Sequence, residues 1–187
     1  TGLIVIDSLN DESLKTRQEE IVHHLAAVPG VHIATRSDAY PHHLPNQDQW
    51  HRNSGSPYHY IWEGLVRPGY FESVGAKLLA GRLLDEQYGN DYHDSPWKAG
   101  NGTSVVISRQ SASILGFPSP EAAIGQDIYT NGITSAYRVV GVIEDMRFYD
   151  AREALRPLLY LGKGGGMTFV PAIVQYVGGS EREGRGR

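Results

Sequence analysis

Four histidines within a span of 18 residues are the side chains best suited to chemistry. They are His42, His43, His51 and His59, with Asp48 among them. Imidazole and carboxylate groups bind zinc, but a zinc site needs about four ligands at characteristic spacings. The spacing here matches none of the usual patterns, and His23-His24 lacks the helical Glu of a metalloprotease motif. We therefore interpret the segment as a polar, histidine-rich loop and predict no metal-ligating residues.

Motifs for phosphate binding and hydrolysis fail on spacing. Gly162-Lys163 lacks the earlier Gly and the following Ser or Thr of a Walker loop, because position 157 is Pro and position 164 is Gly. Glu144 and Asp145 are adjacent on a predicted strand, so they point to opposite faces and cannot form a catalytic pair. No Gly-x-Ser-x-Gly nucleophile elbow occurs. The sequence thus predicts no catalytic residues, no cofactor-binding residues and no cofactor, and we expect the protein not to be an enzyme.

Three aromatic residues at alternating positions offer one further kind of site. In the predicted strand at residues 58–66, Tyr58, Tyr60 and Trp62 share one face and could stack against a sugar or a base. Large aromatic side chains on a half-buried strand more often pack in the core, which is the interpretation that the sequence favours. A free-standing periplasmic or secreted domain that binds a glycan or a metal, through this face or through the loop of His42, stays open as the alternative function.

The composition indicates a folded domain without nucleic-acid-binding character. Hydrophobic residues make up 40% and charged residues 20% of 187 residues, as is typical of globular domains. The net charge of −4 gives no basic field to attract nucleic acid. No apolar run approaches the ~20 residues that span a bilayer, and the chain contains no Cys. Because it opens at Thr1 with neither an initiator Met nor a secretory signal, we expect it to belong to a longer protein.

A continuous apolar run predicts the central strand of one subdomain. Val139, Val140, Val142 and Ile143 are β-branched and flank Gly141. Such a run suits a strand that is covered on both faces. A Gly within it indicates a bulge or a close approach of another backbone.

The first part of the chain predicts a strand, a helix and a second strand. Apolar residues alternate over residues 2–9 and 31–37, as in strands. Between them, a stripe of apolar residues predicts a helix from Asn10 or Asp11 to Val28, which Pro29-Gly30 ends. Strand, helix and strand in so few residues are typical of a βαβ or split βαβ unit.

Loops and turns divide the rest of the chain. Residues 40–57 and 85–102 are polar and interrupted by Pro, Gly or Asn, which predicts two long loops. Pro68 is suited to the first turn of a short helix. Asn131-Gly132 predicts a hairpin in front of the central strand.

These patterns predict an α+β fold with two subdomains. A porter-like βαβ subdomain, discontinuous in sequence, comprises residues 1–74 and 151–178, and a short-stranded, β-rich second subdomain is inserted at residues 75–150. Residues 179–187 consist of Gly, Ser, Glu and Arg only, which predicts a disordered tail.

Three groups of segments, in this order, resemble one protein family. They are LAAVPGV at residues 25–31; VRPGYFESVG at 66–75 with LAGR at 79–82; and VVIS at 105–108 with AIGQ at 123–126 and YRVVGVIED at 137–145. Together they resemble the MacB-type periplasmic core domain of bacterial ABC transporter permeases, in the FtsX-like permease superfamily. The resemblance covers most of the chain, and departs from the family pattern at residues 40–60 and 86–102.

The resemblance implies a location and a mode of action. The domain would lie on the periplasmic face of the inner membrane, between two membrane helices absent from this chain. Its partners would be a cytoplasmic ATPase subunit or domain, acting through the membrane part of the permease, and a periplasmic adaptor or an exported substrate. It would transmit ATP-driven motion in efflux or in lipoprotein or peptide export, without catalytic residues. Because both ends must lead into the membrane, residues near Gly2 and Val177 are expected to lie close together.

Overall fold

Two β-sheets and four short α-helices make up the described part of the chain. The structure, a computed structural model, describes residues 2–7, 12–14, 16–44, 46–98, 100, 102–132, 134–149, 154–165 and 171–177. The strands are β1 Gly2–Ile6, β2 Val31–Arg36, β3 Asn46–His51, β4 His59–Val66, β5 Leu78–Gly81, β6 Tyr92–His93, β7 Thr103–Ser108, β8 Asp127–Thr130, β9 Tyr137–Ile143, β10 Leu158–Lys163 and β11 Ala172–Tyr176. The α-helices are α1 Gln18–Ala26, α2 Tyr70–Ser73, α3 Arg109–Ile114 and α4 Pro120–Ala123, with 3-10 turns at Glu12–Leu14 and Pro96–Lys98.

The smaller sheet joins the beginning of the chain to its end. Its order is β1-β11-β2, and β11 is antiparallel to both neighbours, so β1 and β2 run in the same direction. The helix α1 connects β1 to β2 and packs against β2 and β11. This is the arrangement of a split βαβ unit. The helix starts at Gln18, later than the predicted Asn10 or Asp11, and it ends before Pro29-Gly30 as predicted.

The larger sheet closes on itself. Its main order is β4-β3-β8-β9-β7-β10, and β10 also pairs with β4 in parallel, which completes a ring of six strands. One buried cluster draws side chains from all six of these strands, including Trp50, Ile61, Ile128 and Leu159. The short strands β5 and β6 pair with β9 and β10 outside the ring. Closing the sheet removes free edges from these six strands and surrounds a single apolar core.

The central strand β9 behaves as its sequence predicts. Val139 and Val142 are buried in the core of the ring, and Ile143 is buried in a second cluster. Against β7, Val105 pairs with Val139 and Val106 pairs with Gly141, so one extra residue forms a bulge. A Cβ atom at Gly141 would overlap the carbonyl oxygen of Arg82. The predicted bulge and close backbone approach are both confirmed.

The prediction of a loop at residues 40–57 is wrong for its second half, because the strand β3 occupies Asn46–His51. Apolar periodicity does not reveal β3, since Trp50 is its only large apolar residue. The strand forms because Trp50 enters the core of the ring and the backbone pairs with β4 on one side and β8 on the other. The hairpin predicted at Asn131-Gly132 is confirmed by the antiparallel pairing of β8 with β9.

The α+β class is confirmed, but the sheets do not follow the predicted subdomain boundaries. The strands β3, β4 and β10 lie within residues 1–74 and 151–178, yet they pair in the same sheet as β7, β8 and β9. Sheet order alone does not decide how a chain divides into subdomains, so the division into residues 1–74 plus 151–178 and residues 75–150 stays a prediction. The predicted tail at residues 179–187 lies outside the described residues.

Candidate functional site

The first and last described strands bring the two ends of the described part of the chain together. Gly2 of β1 is the register partner of Tyr176 of β11. The next residue, Val177, donates its backbone N–H to the carbonyl of Gly30 at 3.0 Å. The start of β1 and the end of β11 therefore lie side by side at the same end of the smaller sheet, which confirms the expected proximity of Gly2 and Val177.

An aromatic cluster fills the junction between the two sheets. The rings of Tyr70 and Phe71 on α2 contact the ring of Tyr160 on β10, with centroid distances of 5.7 and 5.3 Å. Ile173 of the smaller sheet belongs to the same buried cluster. Gly69 has a φ of 84°, a conformation that glycine adopts without strain, so the helix starts at Tyr70 rather than at Pro68. This helix start turns both rings into the junction.

A charged network fastens α1 to both sheets. Arg36 of β2 is only 2% exposed, and its guanidinium donates to Gln18 at 2.7 Å and to Glu19 at 3.3 Å. Burial lowers the pKa of Arg36, and the carboxylate of Glu19 opposes that effect. Glu19 also accepts from Arg67 at 3.4 Å, and Arg67 donates to the carbonyl of Lys163 at the end of β10 at 3.0 Å. The carboxylate of Glu19 thus bridges two cations: Arg36 of the smaller sheet, and Arg67, which is hydrogen-bonded to the larger sheet.

Backbone hydrogen bonds join the sheets directly at the ends of β2 and β4. Arg67 donates its N–H to the carbonyl of Arg36 at 3.1 Å, and Asp38 donates to the carbonyl of Leu65 at 3.3 Å. In return, the carboxylate of Asp38 accepts from the N–H of Leu65 at 2.6 Å. Burial raises the pKa of Asp38 to about 7, although the bond from Leu65 favours the charged form.

A buried carboxyl group lies inside the ring of strands. Glu63 of β4 is 7% exposed, and Trp50 of β3 donates its indole N–H to it at 2.8 Å. Burial raises the pKa of Glu63 to about 7; the hydrogen bond from Trp50 opposes this, and the charges of Asp48 and Asp38 add to it. The ring of Tyr137 stands edge-on to Trp50 at 5.0 Å, and its buried hydroxyl has no hydrogen-bond partner among the described residues.

The histidines do not converge. His43 stacks on Tyr40 at 4.8 Å, and His51 is within 2.9 Å of the carbonyl of Asn53 through Nδ1. His42 contacts the ring of Tyr149 edge-on at 6.3 Å. In the part of the chain that the structure describes, no group of three or more His, Asp or Glu side chains is arranged to hold a metal ion.

The orientation predicted for β4 is reversed. Tyr58 and Tyr60 are 53% and 59% exposed, whereas Ile61 and Glu63 of the opposite face are buried. The prediction that these aromatic side chains pack in the core is therefore wrong for Tyr58 and Tyr60. Ile61 is drawn inward by the apolar core of the ring, and Glu63 is accepted there because Trp50 supplies a hydrogen bond.

The remaining motif residues have surface or supporting contacts. Glu144 forms ion pairs with Arg109 at 2.9 Å and with Lys77 at 3.5 Å. Asp145 accepts from the backbone N–H of Gln110 at 2.8 Å. Lys163 donates to the carbonyl of Gly165 at 2.6 Å. None of these contacts brings Glu144 and Asp145 to a common partner among the described residues.

The fold is that of the extracytoplasmic domains of ABC-type permeases. The extracellular domain of the noncanonic ABC-type transporter YknZ from Gram-positive bacteria is 16% identical, with a TM-score of 0.57 over 95% of this chain and 84% of that one. The periplasmic region of MacB from Actinobacillus actinomycetemcomitans is 15% identical, with a TM-score of 0.58 over 93% and 73%. A permease protein domain from Porphyromonas gingivalis is 18% identical, with a TM-score of 0.54 over 83% and 61%.

Sequence comparison adds nothing to this structural likeness. No protein-family model matches the chain, and no curated protein matches it. Among the described residues, no helix is long and apolar enough to cross a membrane. At 15% to 18% identity, the likeness establishes the fold.

Proposed function

We propose that this chain is the extracytoplasmic domain of an ABC transporter permease subunit. In this proposal it lies on the periplasmic face of the inner membrane and transmits ATP-driven conformational change to a periplasmic partner or an exported substrate. The observation that carries the proposal is the pairing of Gly2 with Tyr176. Two segments that leave the same end of a sheet can enter a bilayer side by side, as a domain between two membrane helices requires.

The junction between the sheets gives the proposed transmission a physical basis. Displacement of β1 and β11 acts on the larger sheet through the Tyr70 and Phe71 cluster and through the Glu19 bridge. Packed side chains and charged networks that link rigid elements can carry energetic coupling between distant sites. In this account the domain moves as a single lever and performs no catalysis. Its energy source is a cytoplasmic ATPase, reached through the membrane part of the permease.

Spin-label distances in the full-length product of the encoding gene test this proposal. Residues 1–187 contain no Cys, so once any Cys elsewhere in that product is replaced by Ser, His32→Cys on β2 and Tyr60→Cys on β4 introduce unique labels at exposed positions. Between nucleotide-free and ATP-bound states, the distance between these labels should stay constant. The distance from Tyr60→Cys to a label in the membrane part should change. A changed internal distance, or constant distances everywhere, would contradict a rigid lever.

A variant of the junction sharpens the same experiment. Arg67→Met removes the ion pair with Glu19 and the bond to the Lys163 carbonyl while it keeps a long side chain. The distance distribution between the two labels should broaden in this variant. Arg17→Met, which removes a single exposed ion pair on α1 with Glu20, is the matched control and should leave the distribution unchanged.

A further inference from the structure

One surface of the larger sheet lies at the end away from the smaller sheet. The strand β4 runs from His59 at this end to Val66, which bridges to Ser37 beside β2 at the junction. Eight residues of strand, at a rise of about 3.3 Å each, separate the two ends by roughly 25 Å. This surface is therefore remote from the end of the smaller sheet where Gly2 and Tyr176 meet.

Three aromatic side chains form a row across neighbouring strands there. His51 of β3 is the register partner of Tyr129 of β8, and their ring centroids are 5.6 Å apart. On its other side His51 meets the ring of Tyr58 edge-on at 4.7 Å. We call Tyr58, His51 and Tyr129 the aromatic row. It lines an open groove of about 570 Å³ together with Asn53, Ser54, Ser56 and Thr134.

A second row of polar and aromatic groups continues the surface. Gln49 lies two residues before His51 on the same face of β3, and it donates to the hydroxyl of Tyr60 at 2.7 Å. Its side-chain carbonyl accepts from Asn131 at 3.3 Å. These two hydrogen bonds hold the side-chain amide of Gln49 between the exposed ring of Tyr60 and the amide of Asn131. Gln49 lies about 7 Å along the strand from His51 of the aromatic row.

The loop that borders the groove is held in place before any ligand arrives. The carbonyl of Asn53 lies 2.9 Å from His51 Nδ1 and accepts from the backbone N–H of Ser56 at 3.0 Å. Arg52 donates to the carbonyl of Gly116 at 3.2 Å and stacks over the ring of Phe117 at 4.6 Å. Pre-organisation of this kind reduces the entropic cost of binding.

The charge and chemistry of the groove narrow the class of ligand. Its lining contains aromatic rings, hydroxyl groups, an amide and an imidazole, with no Asp, Glu, Lys or Arg. On the outer face of the adjoining strands, Asp127 and Arg138 form an ion pair with each other. The groove therefore offers ring faces for stacking and hydrogen-bonding groups, and its described lining has no carboxylate, ammonium or guanidinium group to attract an ionic ligand. Sugar rings present apolar C–H faces and neutral hydroxyl groups, which such a surface complements.

We propose that the aromatic row and its groove bind an uncharged oligosaccharide. Tyr58 and Tyr129 stack against the sugar rings, and Asn53, with Ser54, supplies hydrogen bonds at the rim. The proposal goes beyond transmission of motion and does not depend on it, because binding is a property of this chain that is measured without a membrane or an ATPase.

Titration calorimetry on residues 1–187 tests the proposal with two neutral probes, cellotriose and N-acetylated chitotriose. At least one of them should bind with a dissociation constant of about 1 mM or tighter. Tyr58→Ala and Tyr129→Ala should each weaken binding roughly threefold to tenfold, as expected for loss of one stacking ring. Tyr58→Phe should retain most of the affinity, because the ring remains.

Tyr88→Ala is the matched control, since Tyr88 is 45% exposed and lies outside the groove. It should leave saccharide affinity unchanged, and thermal melting should show that every variant is folded. Absence of binding for both saccharides at about 10 mM would overturn the proposal. Binding that survives both Tyr58→Ala and Tyr129→Ala would overturn it as well.

Discussion

Replacing Glu63 by Gln should change how stability depends on pH. The structure buries this carboxyl group against Trp50 and raises its pKa from 4.5 to about 7, mainly through burial. Because the folded-state pKa is above the unfolded value, the protonated carboxyl group favours folding. That contribution is fully present below about pH 4.5 and is lost as the pH rises through 7.

The size of the effect follows from the two pKa values. The difference between 4.5 and about 7 corresponds to roughly 3 kcal/mol of unfolding free energy, at about 1.4 kcal/mol per tenfold change in proton affinity. Between pH 5 and pH 8, Glu63 should therefore remove about 2 kcal/mol of stability from the wild-type protein. Asp38 acts in the same direction, since burial also raises its pKa to about 7.

Urea unfolding at pH 5 and pH 8 measures this dependence. In Glu63→Gln the side-chain carbonyl can still accept from Trp50, yet no charge develops, so the loss of stability between the two pH values should shrink by about 2 kcal/mol. Glu72→Gln, at an exposed glutamate on α2, is the control and should behave as the wild type. If the wild-type protein gains stability from pH 5 to pH 8 relative to Glu63→Gln, the assignment of a buried, protonated carboxyl group is refuted.

Three further substitutions test the packing of the larger sheet by chemical denaturation. Gly141→Ala should destabilise the fold by about 2 to 4 kcal/mol, because a Cβ atom there meets the carbonyl of Arg82, whereas Gly89→Ala, with open space around it, should be nearly neutral. Tyr137→Phe should be neutral or stabilise by up to about 1 kcal/mol, since it removes a buried hydroxyl group without a partner among the described residues; a loss of stability would reveal a hidden bond. Asp91→Ala should cost about 3 to 5 kcal/mol, because this fully buried carboxylate pairs with Arg82 and accepts from the loop backbone; a cost below 1 kcal/mol would contradict that role.

Features that depend on the local backbone could be predicted from the sequence. The bulge at Gly141, the helix end at Pro29-Gly30 and the hairpin at Asn131-Gly132 all follow from the conformations that these residues permit. The proximity of Gly2 and Val177 followed from the family resemblance. Each of these predictions rests on a few neighbouring residues or on an ordered set of motifs.

Features that depend on distant partners could not be predicted. The inner and outer faces of β4 have similar polarity, and only the neighbouring strands decide that Ile61 is buried and Tyr60 is exposed. The strand β3 is hidden because five of its six residues are polar and only Trp50 marks it.

The bridge at the junction is likewise invisible in the sequence. Glu19 and Arg67 are 48 residues apart, and no local pattern marks Arg36 as the buried cation that also pairs with Glu19. The only signal in the sequence is a charged residue near the end of a predicted strand, where such a residue usually marks the return to solvent. Once β2 and α1 are packed together, the same residue is buried and binds Gln18 and Glu19 of α1.

The most direct test of the central claim is the location of this domain in intact cells. In a full-length gene product whose Cys residues outside residues 1–187 are replaced by Ser, Tyr88→Cys introduces an exposed thiol, since residues 1–187 contain no Cys. Ala112→Cys introduces a buried thiol as the control. A membrane-impermeant maleimide should label Tyr88→Cys before lysis as fully as after it, while Ala112→Cys reacts only after denaturation. Labelling of Tyr88→Cys that appears only after lysis would place the domain in the cytoplasm and contradict the account.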